Sequence, residues 1–236
     1  MNEPLVFVPG IMCDARVFGP QLAALSPHHA VTIAPITQGE RVEEIASSLL
    51  DILPRRFALV GHALGGIVAM EILRRAPDRV GRIALMNTNA FAETPQSAAD
   101  LEPLIIKLRS GSVEGFAQGM LLADHLVPGP VRAEILALVG DMADHLGADT
   151  LLRQVRAQQR RRDYQAVLRR CKTPALVLCG EHDGPAPIKR NTFLADLIPY
   201  AELSVIEAAG HLPMLEQPDA TTAAMRSWLK QPLVLQ

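Results

Sequence analysis

Short, continuously apolar runs alternate along this chain with longer stretches in which apolar side chains recur every three or four positions. The first pattern predicts strands over residues 5–8, 31–34, 57–60, 82–86, 175–179 and 202–206. The second predicts helices over 16–25, 42–52, 66–75, 188–197 and 220–229. Strands and helices that alternate in this way build a mostly parallel sheet covered by helices on both faces. An α/β architecture with about six strands is therefore expected.

One stretch departs from the alternation. Between residues 91 and 171 the strand signal disappears, and about four helical segments follow one another, interrupted at Gly111, at Pro128 to Pro130 and at Gly147. Residues 1–90 and 172–236 are expected to form one core, with 91–171 inserted into it. Neither part contains an internal repeat or a low-complexity tract.

Composition narrows the functional classes. At 236 residues and 49% hydrophobic, the chain can bury one large core. A formal charge of -2 gives no reason to expect a nucleic-acid partner. The three cysteines, Cys13, Cys171 and Cys179, are odd in number and lack metal-ligand spacing, which suits a reducing compartment better than a disulfide framework. The N-terminus enters a strand within a few residues, with no basic segment followed by an apolar one. No apolar run approaches the ~20 residues needed to cross a bilayer. A cytoplasmic protein without a membrane partner is expected.

The chemistry is concentrated in Phe57-Ala-Leu-Val-Gly-His-Ala-Leu-Gly-Gly66. A strand-like run enters this segment and a helix-like run leaves it, with glycines between. That is the context of Gly-x-Ser-x-Gly, in which a serine sits on a sharp strand-to-helix turn. Here the serine position holds Ala63. Replacing serine by alanine removes one oxygen and little else, so the pocket is expected to survive while the chemistry is lost.

Three further segments stand in a fixed order around it. Val6-Phe-Val-Pro-Gly10 is an apolar strand ending in Pro-Gly. Leu176-Val-Leu-Cys-Gly-Glu-His-Asp-Gly-Pro-Ala-Pro187 is an apolar strand followed by Gly-x-x-Asp-x-x-x-Pro, and Ala209-Gly-His-Leu-Pro-Met-Leu-Glu-Gln-Pro218 is a Gly-His loop. With these segments the chain resembles the α/β-hydrolase superfamily, of the small esterase and lactonase type, over all but the middle of its length.

The resemblance implies a triad of the nucleophile position Ala63, the acid Asp183 and the base His211. It implies an oxyanion hole from the backbone N–H groups of Leu64 and Ile11, with Met12 as the alternative donor and a substrate contact. It also implies that residues 91–171 are a helical cap whose inner face shapes the substrate. Many family members begin with an extra antiparallel strand pair, for which this chain has no room. Glu181 competes with Asp183, but the family's carboxylate lies three residues past the strand-ending glycine, here Gly180. The implied reaction is hydrolysis of a small carboxylic ester, lactone or thioester through an acyl-enzyme, with no metal or organic cofactor. C–C or amide hydrolysis on the same triad, and a non-catalytic ligand-binding protein, remain alternatives. Haloalkane dehalogenation would need a carboxylate where Ala63 stands.

Ala63 itself has two readings. One is a deliberate serine-to-alanine change that traps a ligand, and the other is a natural loss of catalysis. A turn that holds a non-glycine residue in a sparsely populated conformation costs ~1–3 kcal/mol, and a chain that had abandoned catalysis would have reason to relax it. The engineered reading is preferred on that ground.

Several other residues carry a weaker signal. Cys13, near the oxyanion loop, is read as a small buried residue rather than a nucleophile, and His62 as a side chain that packs or hydrogen-bonds locally. The run from Arg153 to Lys172 holds eight basic side chains against Asp163, and Arg153, Arg156 and Arg160 share a helical face. It is read as a solvated face, with grip on a substrate carboxylate or an acidic carrier protein as the sharper alternative. Met86, Met120, Met142 and Met214 are read as core filling, and only Met12 gains from its position.

Overall fold

Strands that are apolar on both sides need a cover on both sides, and the fold supplies two. The computed structural model describes residues 3–233, so the outer ends of the two core ranges, residues 1–2 and 234–236, lie outside the described residues. Six strands, β1 (Leu5–Val8), β2 (Val31–Ile33), β3 (Phe57–His62), β4 (Val80–Met86), β5 (Ala175–Gly180) and β6 (Ala201–Ile206), form one sheet in the order β2-β1-β3-β4-β5-β6. Every neighbouring pair is parallel.

The helices follow in chain order. Those interleaved with the first strands are α1 (Gly19–Leu25), α2 (Val42–Ile52) and α3 (Leu64–Arg75). Between β4 and β5 come α4 (Pro95–Asp100), α5 (Glu102–Arg109), α6 (Phe116–Met120), α7 (Arg132–Gln159) and α8 (Gln165–Arg169). After β5 come α9 (Ile188–Leu197), α10 (Pro213–Glu216) and α11 (Pro218–Lys230).

Alternate residues of one strand serve opposite faces. Leu5 and Phe7 of β1 join a core with α1, α11 and the helices between β4 and β5, while Val6 and Val8 join the core under α2, α3 and α9. Trp228 in the first core and Phe57 in the second are not exposed to solvent at all.

Two departures from the expected elements have local causes. The helix expected over 16–25 is divided, because Asp14 Oδ1 accepts the Arg16 N–H and caps a 3-10 turn at Ala15–Phe18. Gly19-Pro20 then starts α1 afresh, since proline is pre-set for a first helical turn. The expected break at Gly147 lies inside α7, where φ 73° and ψ 164° put the residue in a region open essentially only to glycine.

The order of strands fixes where a site can form. The chain leaves β1 toward β2 and returns to the other side of β1 with β3. At such a reversal the connections diverge and leave a crevice at the carboxyl ends of the strands. The loops after β1 and β3 both open into it.

Candidate active site

Ala63 occupies the turn between β3 and α3 with φ 49° and ψ -115°. Positive φ in a non-glycine residue is strained, and neighbouring groups hold it there. The Ala63 N–H donates to Met86 O at 3.0 Å, and Thr88 Oγ1 donates to Ala63 O at 2.8 Å. Both partners lie at the end of β4, so the next strand clamps the turn from both sides of the peptide. Gly65 permits the tight approach: a Cβ there would lie 2.0 Å from Val8 O.

His211 and Asp183 meet across two loops. The Asp183 side chain is 0% exposed, and His211 Nδ1–H donates to its Oδ1 at 2.9 Å. The same Oδ1 accepts the Ala186 N–H at 3.0 Å, and Oδ2 accepts the Asn87 amide at 2.7 Å. Burial works against the charged carboxyl, but the His211 ring beside it and these hydrogen bonds outweigh burial and hold it below its ordinary value. Asp183 is thus a fixed acceptor that orients the imidazole. Glu181, the competing acid, faces away: it pairs with His182 and accepts the Ala208 N–H.

The peptide of His211 is braced on both sides. Its N–H donates to His125 O at 2.8 Å, and its C=O accepts from His62 Nε2–H at 3.1 Å. Glu216 accepts the N–H groups of Gly210, Leu212 and Val127, which flank His211 and tie its loop to the segment before α7. His62 is buried, and desolvation, with a smaller push from the His211 charge, lowers it to about 3. It is therefore a neutral imidazole at working pH, and local hydrogen bonding is what it does.

The loop after β1 supplies the other wall. Leu64 is the first residue of α3, so its N–H has no acceptor one turn back in the helix. The Ile11 N–H has no partner among the described residues. The Met12 N–H, in contrast, donates to Gln154 Oε1 at 2.9 Å, and Gln154 Nε2 donates to Ile36 O. That bond occupies the alternative donor, whereas Ile11 and Leu64 both line the cavity of the site. Cys13 is buried, and desolvation pushes its thiol up to about 12, which leaves no thiolate near neutral pH.

These groups open into a cavity of about 230 Å³. Ile11, Met12, Ala63, Leu64 and His211 line it together with side chains from residues 91–171. Among them is Met120, for which the sequence predicts a place in the core. Met86, Met142 and Met214 are wholly buried, as expected.

The basic run from Arg153 forms the expected solvated face only in part: Arg160, Arg162, Arg169, Arg170 and Lys172 are exposed, whereas Arg153, Arg156 and Arg161 are not. Arg153 donates to Thr37 O, and Arg156 and Arg160 pair with Glu40. The shared helical face docks onto the loop before α2, because these side chains find backbone and carboxylate acceptors there. Arg161 breaks the pattern and lines the cavity. Among the described residues no group of three or more His, Cys, Asp and Glu side chains could hold a metal ion.

Sequence reasoning missed Asn87, Gln154 and Glu216. Asn87 had a usable signal: it ends an apolar strand in a polar trio with Thr88 and Asn89, and its φ of 48° suits asparagine. Gln154 and Glu216 had none, since each acts on backbone that only the folded chain brings to it.

The profile of the alpha/beta hydrolase family matches residues 5–224. RutD of Pseudomonas savastanoi pv. phaseolicola, whose name carries a provisional assignment as a carbamate hydrolase, is 28% identical over 91% of this chain and 88% of its own. The pimeloyl-[acyl-carrier protein] methyl ester esterase of Aromatoleum aromaticum is 27% identical over 89% of this chain and 86% of its own. Among solved structures, an esterase from Thermogutta terrifontis superposes with a TM-score of 0.88 at 23% identity, over 98% of this chain and 90% of that one. An enol-lactonase from Burkholderia xenovorans LB400 gives 0.85 at 24% identity, over 98% and 93%.

Proposed function

The chain belongs to the alpha/beta hydrolase family, and from that premise we propose that it is the alanine form of a serine hydrolase acting on small carboxylic esters, lactones or thioesters. One observation carries the reading: His211, held by Asp183, and the strained turn bearing Ala63 line one small cavity.

With serine at position 63, its Oγ attacks the substrate carbonyl carbon while His211 Nε2 takes the hydroxyl proton. Asp183 keeps the imidazole in the required tautomer and stabilises its charged form. The oxyanion of the tetrahedral intermediate accepts from the Ile11 and Leu64 N–H groups, worth a few kcal/mol each. His211 then gives its proton to the leaving oxygen or sulfur, and the acyl group remains on the serine. Water repeats the sequence with His211 as base and releases the carboxylic acid. Ala63 has no proton to give and no lone pair to attack with, so the chain as it stands binds without turning over.

Ala63 keeps the costly turn, which supports a serine-to-alanine replacement over long disuse. The carbamate bond in the name of RutD passes through the same intermediate and supports an amide-type substrate as a second reading. Residues 91–171 act as the cap over the cavity in this scheme. Cys13, Cys171 and Cys179 are unpaired, which supports a reducing, cytoplasmic setting.

Ala63→Ser is expected to hydrolyse short p-nitrophenyl esters, and His211→Ala in that background to lower kcat/KM by roughly 10³-fold or more, because the two residues act as one unit. Turnover by the unaltered chain would assign the chemistry to another nucleophile. A folded Ala63→Ser protein inert toward esters, lactones and carbamates would leave a ligand-binding protein.

A further inference from the structure

The cavity wall contributed by residues 91–171 is apolar at Leu101, Met120, Leu121 and Val139. It is polar at Ser97 and where Glu93, Gln158 and Arg161 come together. Arg161 Nη2 lies 3.3 Å from Glu93 Oε2, and each side chain is only 9% exposed. Gln158 Nε2 donates to the same Glu93 Oε2 at 3.1 Å. The ion pair and the Gln158 hydrogen bond both fall on Oε2, which leaves the Oε1 lone pairs to a ligand. Arg161 Nε is buried without a hydrogen-bond partner among the described residues.

A buried ion pair is weak evidence for stability, because apolar side chains of similar volume often serve as well or better. A polar spot in an apolar pocket instead fixes ligand orientation. Glu93 and Arg161 offer an acceptor and a donor side by side, and within the lining their charges cancel; Arg190, which also acts on Arg161, is exposed and does not line the cavity. A substrate carboxylate would bring a third, uncompensated charge next to Glu93 in a desolvated wall. A carboxamide brings none: its C=O accepts from Arg161 and its N–H donates to Glu93. We infer that this pair selects neutral substrates carrying a second polar group able to donate and accept at once, an amide above all, and rejects carboxylates. Resting on the hydrolase reading, the inference names that site's substrate class.

The unaltered chain serves as the test, since Ala63 allows binding without turnover. Methyl hexanoate, the carboxylate monomethyl adipate and the corresponding monomethyl ester monoamide are titrated by calorimetry. The monoamide should bind roughly 10-fold tighter than methyl hexanoate, about what hydrogen bonds to charged groups supply, and monomethyl adipate should bind weakest. Glu93→Gln uncovers the Arg161 charge and should move monomethyl adipate ahead of methyl hexanoate. Arg161→Met should bring the monoamide back to the methyl hexanoate level. Tightest binding of monomethyl adipate by the unaltered chain, equal binding of all three, or an order unmoved by Glu93→Gln would overturn the inference. If a variant fails to fold, the order in the unaltered chain decides alone. Turnover of all three esters by Ala63→Ser without preference sinks the amide selection and keeps the hydrolase, whereas the binding order without turnover does the reverse.

Discussion

Four non-glycine residues have positive φ among the described residues: Met12, Ala63, Asn87 and Ala208. Met12 follows the strand-end loop with the Ile11 donor, Asn87 holds Asp183, and Ala208 lies three residues before His211. Strain of ~1–3 kcal/mol apiece persists only where the surroundings over-determine it, and here hydrogen bonds from neighbouring segments do so. His62 shows the related cost of burying an ionisable ring. Its folded value of about 3 lies below the 6.5 of the unfolded chain. Between those values the unfolded chain takes up a proton that the folded chain refuses, so stability rises with pH across the window, by up to about 1.4 kcal/mol per pH unit. Denaturant titrations from pH 4.5 to 6.5 should show this slope, and His62→Gln, which keeps a donor for His211 O, should make it shallower. Asp183, lowered from its ordinary 3.8, touches only the acid end of this window, and His125, lowered by desolvation, adds a slope of the same sign that remains in the variant. An equally steep limb in the variant would assign the slope elsewhere.

At the scale of an element, glycines of similar appearance have opposite roles. Gly140 lies in the helical interior of α7, where an added Cβ would meet no atom within 4 Å, whereas Gly147 in the same helix has φ 73°. Gly140→Ala should stabilise by about 0.5–1 kcal/mol through helix propensity, and Gly147→Ala should destabilise by about 1 kcal/mol or more through strain. Gly65→Ala meets the Val8 and Pro9 carbonyls. It should cost about 1–3 kcal/mol through overpacking and lower the turnover of Ala63→Ser besides. Thermal denaturation of the three variants gives the comparison directly. A stabilised Gly147→Ala protein would mean that the bend in α7 is not needed.

Across the whole molecule, the sheet is clamped by two cores, and the segment between β4 and β5 contributes side chains to the cavity while its own connections are exposed. Residues 110–111 and 128–131 are exposed and lie outside the helices. A non-specific protease should cut there first, and the monoamide ester, by bridging the Ala63 turn and the side chains from residues 91–171, should slow the cuts. First cleavage within β3 would contradict this organisation. The same segment is tied to the groups beneath it by Gln154 on the loop after β1, by the Arg156–Glu40 pair and by His125 O on the His211 N–H. Binding that orders this segment therefore also steadies the groups it is tied to.

The six strands, the long helices of the core and the order of the site segments were legible in the sequence, because each rests on a local signal. Apolar runs with period two or 3.6, and glycines at a turn that cannot take a side chain, need no knowledge of distant residues. The choice of Asp183 over Glu181 came from spacing, and the hydrogen bond to His211 agrees with it. What the sequence could not settle were interactions between segments remote in the chain. Asn87 reaches Asp183 only because β4 pairs with β5, Glu216 reaches Val127 only because the segment before α7 folds back, and Gln154 blocks Met12 from 142 residues away. The docked part of the basic run was illegible for the same reason: its 3.6-residue spacing says that three arginines share a face, but not what that face meets. Periodicity specifies which side of an element is apolar, whereas the partner of a polar side chain is set by the packing of whole elements, and only the tertiary structure holds that information.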